Sequence, residues 1–205
     1  MKNLARILSF VFHPVFIPIY LVLIVYLSDS YLQYLMPLSR LRPIMMLLLI
    51  NTVLMPLIAF SFLRYKGVFT SLFLEKKEER SIGILLLFVF HLLTYILWRK
   101  LDLPESFISI FLGILITLMV LFLLNFVMKV SLHTAAVGGI IGALLGLYKV
   151  HGFMDISLLA LSILFLGLIA SARLLLNAHS PREVNLGALT GVILLYCSTG
   201  FDWFI

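Results

Sequence analysis

Seven runs of apolar residues, each close to the length that crosses a bilayer, limit what this chain can fold into: about 7–27, 43–63, 82–98, 106–128, 134–149, 156–176 and 184–201. A backbone surrounded by lipid must satisfy its own N–H and C=O groups, and a run of this length does so as a helix. The expected fold is therefore all-α, a polytopic transmembrane helical bundle of about six to seven spans, the fifth run being short. Composition agrees, since 63% of the 205 residues are hydrophobic and 12% charged, with a mean hydropathy of +1.18. An ordinary soluble domain is excluded. The first run is too long for a cleavable signal peptide and lacks a small-residue cleavage site, so it reads as a true first span. No linker, low-complexity stretch or repeat divides the chain, so residues 1–205 are expected to form a single integral membrane domain with N-terminal helices over 1–63.

Charge is sparse and placed in short loops. The formal net charge of +6 points to topology and anionic membrane lipids as partners, not to nucleic acid. Cys197 is the single cysteine, so neither an internal disulfide nor a thiolate metal cluster is available.

The densest polar interruption is Ser171–Gly191, SARLLLNAHSPREVNLGALTG. It holds Arg173, then His179 after five residues, then Glu183 after three more. Pro181 is preorganised for a first helical turn, so a helix is expected to start there with Ser180 as its N-cap. His179 then sits at the mouth of that helix, whose exposed N–H groups and partial positive charge form, with Arg173, a seat for an oxyanion. Ser180-x-x-Glu183 is also a capping box, so Glu183 has a purely structural reading beside a catalytic one.

Two further clusters stand earlier in the chain. Lys76, Lys77 and Arg80 share a helical face that could hold a phosphate, or simply belong to a solvated, self-paired loop. The preceding VFTSLFL segment could lie along the membrane surface. Ser131 and His133 follow Lys129 and open a run in which Gly138, Gly142 and Gly146 recur every four residues, a packing pattern repeated by Gly187 and Gly191. His13-Pro14, Pro18, Asn51 and Pro56 are expected to kink the first two spans. His13 could line a site, or hydrogen-bond the neighbouring backbone.

Parity connects the clusters. Two spans separate Arg80 from His133 and two more separate His133 from His179, so all three emerge on one face of the membrane. Two imidazoles, a carboxylate and several cations at one depth are the inventory for metal-free phosphoryl transfer: one imidazole attacks phosphorus, the other protonates the departing oxygen, and cations stabilise the equatorial oxygens.

The order Arg80, Ser131-x-His133, Arg173-x5-His179-x3-Glu183 resembles the type 2 phosphatidic acid phosphatase (PAP2) superfamily, whose signatures are K-x6-R-P, P-S-G-H and S-R-x5-H-x3-D. The resemblance covers about Glu75–Gly191, which makes 64–191 a phosphatase-like core. Phe73 stands in place of the first lysine, Ser81 in place of the proline, and Glu183 in place of the acid Asp. The resemblance implies a membrane lipid phosphatase, hydrolysing a lipid phosphate or pyrophosphate through a phosphohistidine, with no cofactor and no metal. It implies His179 as nucleophile, Glu183 as its orienting partner and His133 as general acid. Arg173, Arg80 and Ser131 would hold the phosphoryl group, with Lys77, Lys76 or Lys129 replacing the missing lysine. A degenerate, non-catalytic relative that binds headgroups or a partner, or a lipid transporter, is the alternative. Lys and Arg number ten on the site's face and five opposite, which favours a cytoplasmic site by the positive-inside rule. The family resemblance favours an external or periplasmic one at the cell membrane, and the external face is the expectation taken.

Overall fold

The computed structural model describes residues 1–28, 30–70, 77–152 and 155–201, and among these every regular element is helical. In chain order α1 (Lys2–Val11) and α2 (Ile17–Ser28) precede α3 (Ser30–Leu35), α4 (Leu38–Leu49) and α5 (Met55–Tyr65). Then come α6 (Lys77–Arg99), α7 (Glu105–Leu124), α8 (Leu132–His151), α9 (Ile156–Leu175) and α10 (Pro181–Gly200). Five stretches among the described residues are long and apolar enough to cross a membrane: Leu38–Tyr65, α6, α7, α8 and α9. The chain is thus a helical, multi-pass type of membrane protein.

The first apolar run does not form one helix. Pro14 lacks an N–H and crowds the preceding turn, so α1 ends at Val11 and α2 begins only at Ile17. The chain turns between them, and α1 packs against α9, with Phe12 and Phe165 ring centroids 4.6 Å apart. In the second run, Pro56 cannot donate to the turn behind it. The helix absorbs the missing bond as a π-helical turn over Ile50–Leu54 that joins α4 to α5. Most of the VFTSLFL segment, together with Phe73, Glu75 and Lys76, lies outside the described residues.

The centre of the bundle is α8 against α10, running parallel because α9 carries the chain back between them. Glycine makes the approach possible: a Cβ at Gly138 would sit 2.5 Å from the Ala188 carbonyl oxygen, and one at Gly187 2.5 Å from that of Ser131. Gly142 and Gly191 face the backbone at Val192 and Ala135 in the same way. These are small-residue contacts of the kind that let helices associate in lipid, where apolar burial alone gives little drive. On its other side α10 meets α7, where the Ser198 hydroxyl donates to the Ser109 carbonyl. The main apolar core joins α2, α4, α7 and α8 around Trp98 and Phe111, whose ring centroids are 4.3 Å apart.

The two parallel helices also start at the same level. Ser131 N–H donates to the Glu183 carbonyl at 3.1 Å, and the Thr134 hydroxyl donates to the Val184 carbonyl at 2.9 Å. The first turns of α8 and α10, the start of α6 and the end of α9 therefore share one end of the bundle.

Candidate functional site

The route from Arg173 to His179 is built by a helix stop and a helix start. At the end of α9, Leu176 N–H donates to the Ala172 carbonyl and Ala178 N–H to the Arg173 carbonyl, both at 3.1 Å. Asn177 takes a left-handed conformation (φ 52°), which its short polar side chain tolerates better than most. The chain reverses there and enters α10 through Ser180 and Pro181. Ser180 Oγ accepts the Glu183 N–H at 3.5 Å while Glu183 Oε2 accepts the Ser180 N–H at 2.9 Å, so the capping box is present.

The capping carboxylate does not exhaust Glu183. Its Oε2 also lies 3.1 Å from His179 Nδ1, which is 3.1 Å from the Lys129 carbonyl as well. A carbonyl only accepts, so Nδ1 carries the proton, and the lone pair of a neutral His179 is on Nε2. The two readings of Glu183, cap and orienting partner, are therefore compatible: one oxygen serves both.

His179 is nearly enclosed, its side chain 5% exposed. Burial, and then the charges of Arg80 and Arg173, lower its pKa from 6.5 to about 4, against the opposing bond to Glu183. It is neutral at physiological pH, the state in which Nε2 can attack. Arg80 is buried, donates to the Val130 carbonyl and leaves Nε without a partner among the described residues. Arg173 likewise has a buried Nε that bonds to nothing among the described residues. Two guanidinium groups with unspent N–H donors beside a neutral imidazole make an electropositive hollow for an anion.

His133 closes another side. Its Nε2 is 3.1 Å from the Ser9 carbonyl, so Nε2 is the protonated nitrogen and Nδ1 carries the lone pair. Arg173, His13 and His179 all act on it electrostatically. The His13 ring stands edge to face with it, centroids 5.4 Å apart and planes at 86°.

The structure thus brings together His179, Glu183, His133, Arg173 and Arg80, and gives two other candidates different surroundings. Lys77 is exposed and donates to the Phe126 carbonyl at 2.7 Å. Ser131 is fully buried as the N-cap of α8: its N–H goes to Glu183, and its hydroxyl oxygen accepts Thr134 N–H at 3.4 Å. Lys129 contributes both a backbone acceptor and a nearby positive charge to His179. Sequence reasoning underweighted Ser9 and His13. The available signal was parity, because the two apolar runs expected before Arg80, an even number, put the N-terminus on the same face as the three clusters.

Next to the site an apolar cleft runs from Pro14 and Leu132 past Pro18, Leu121 and Ala136 toward His91. Among the described residues no three His, Cys, Asp or Glu side chains are placed to hold a metal ion. No family model, no curated protein and no solved structure matches the chain.

Proposed function

We propose that the chain is a membrane lipid phosphatase of the type 2 phosphatidic acid phosphatase kind, cleaving a lipid phosphate or pyrophosphate through a phosphohistidine without a metal. The observation that carries this reading is the clamp on His179 Nδ1 between the Lys129 carbonyl and Glu183 Oε2, which leaves a neutral, nearly enclosed Nε2 lone pair beside two arginines with unspent donors.

The proposed chemistry gives each group a role. A monoanionic phosphate ester is held by Arg80 and Arg173, and its proton passes to His133 Nδ1. His179 Nε2 attacks phosphorus; the bond to the lipid oxygen breaks with its electron pair on that oxygen, which takes the proton back from His133. Water then attacks the phosphohistidine with His133 accepting its proton, the P–N bond breaks back onto Nε2, and phosphate leaves carrying the proton returned by His133. Glu183 supports the positive charge that His179 gains. The bundle proposed for this core has six to seven spans, and the apolar cleft beside His133 is suited to the lipid chain nearest the headgroup.

The test is phosphate release from a lipid phosphate by purified protein with chelator present. His179→Ala is expected to abolish release and His133→Ala to lower it about a hundredfold. Near-normal release by His179→Ala would refute the mechanism. The site is proposed to face the cell exterior, so intact cells should consume a membrane-impermeant, short-chain lipid phosphate. Consumption only after lysis would place the site inside.

A further inference from the structure

The break at Pro14 folds α1 across α9 and brings two groups from the N-terminal segment to the site. The Ser9 carbonyl fixes His133 through Nε2, and the His13 ring lies edge to face against His133. His13 Nδ1 accepts the Val15 N–H at 3.4 Å. A nitrogen that accepts an N–H carries a lone pair, so the proton of neutral His13 is on Nε2. That Nε2–H has no hydrogen-bond partner among the described residues.

Its surroundings are cationic or neutral. The His133 and Phe16 rings stand edge to face with it, Arg173 acts on it electrostatically, and no acidic group among the described residues does. Burial first, then Arg173, lowers the His13 pKa to about 4, so the ring is neutral and adds no charge of its own. A donor without a partner among the described residues, on a ring that packs against His133 and feels the charge of Arg173, is complementary to an anion.

We propose that His13 donates its Nε2–H to the phosphoryl oxygens held by Arg80 and Arg173, making the N-terminal segment part of the substrate site. The inference rests on the phosphoryl-site reading above and adds a binding residue to it. The competing role is structural: His13 would only secure the turn through Val15.

Two isosteres separate the roles, because Asn places an acceptor near the Nδ1 position and Gln places a donor near the Nε2 position. His13→Asn keeps the Val15 bond and loses the donor; His13→Gln does the reverse. Full-length protein in detergent is titrated with inorganic phosphate and with vanadate by calorimetry, and KM and kcat are measured on a lipid phosphate. His13→Asn is expected to weaken both anions about tenfold and raise KM, with its melting temperature without anion unchanged. His13→Gln is expected to bind within a few-fold of wild type. Wild-type affinity in His13→Asn, or equal weakening in His13→Gln, overturns the assignment of His13 alone. If wild type binds neither phosphate nor vanadate, the phosphoryl-site reading falls together with it. Should His13→Asn fail to fold, the Gln variant decides: retained affinity supports the donor, and lost affinity overturns it.

Discussion

One carboxylate oxygen, Glu183 Oε2, accepts both the His179 Nδ1–H at 3.1 Å and the Ser180 backbone N–H at 2.9 Å. The helix cap and the proposed nucleophile are thus held by the same atom.

Glu183→Gln tests what that atom supplies. The amide oxygen can still accept both bonds, so stability should stay within about 1 kcal/mol of wild type, whereas Glu183→Ala should lose about that much as a missing cap. Without the negative charge, turnover should fall by roughly two orders of magnitude. Thermal melts and lipid phosphate turnover on the same preparations check both, and full activity in Glu183→Gln would reduce Glu183 to a cap.

The pH profile should carry the mark of a buried neutral histidine. His179 titrates near 4 in the folded protein and near 6.5 when unfolded, and His13 shifts in the same direction to about the same value. As pH falls below 6.5 the unfolded chain takes up protons that the folded one refuses. Stability from these groups is therefore full above 6.5 and declines toward pH 4, where the loss levels off. The nucleophile itself stays neutral down to about 4. After correction for ionisation of the substrate, the acid limb of kcat/KM should have its midpoint near 4, and a midpoint near 6.5 would contradict the enclosure of His179.

Glycines on two helices should respond in opposite ways. A Cβ at Gly142 would fall on the Val192 backbone, so Gly142→Val must part α8 from α10 and should cost about 1–3 kcal/mol or more. Gly167 in α9 has nothing within 4 Å of a built Cβ, so Gly167→Ala should stabilise the helix by up to about 1 kcal/mol. Melting temperatures in detergent measure both. Equal effects would argue against the α8–α10 contact.

Features with a local or periodic origin were legible in the sequence. The four-residue glycine spacing announced the close helix pair, and Ser180-Pro181-x-Glu183 announced the start of α10. The break at His13-Pro14 was legible too, but its result was not, because where α1 goes depends on packing against α9. Lys77 shows the same limit. Its rival for a phosphate is the Phe126 carbonyl, supplied by the turn after α7, and Asn125 in that turn also binds the Lys77 carbonyl and the Ser81 hydroxyl. Contacts made 48 and 49 residues away leave no trace in local spacing. Nor does a tautomer: the proton on His179 Nδ1 follows from a carbonyl 50 residues distant in sequence.

The parallel pair α8–α10 has a mechanical consequence. Backbone meets backbone at Gly138, Gly142 and Gly191, which leaves little room for one helix to slide past the other, so His133 and His179 ride on a single stiff body. Arg173 rides on α9, whose buried residues among those described are only Ser162, Ile169 and Ala172, and α1 leans on that same helix. The separation of the two imidazoles is therefore set by the scaffold, whereas the grip of Arg173 and of the N-terminal turn depends on how a peripheral, lipid-facing helix is seated. Bilayer thickness and lateral pressure, which act on such a helix, can alter the clamp without disturbing the imidazole pair.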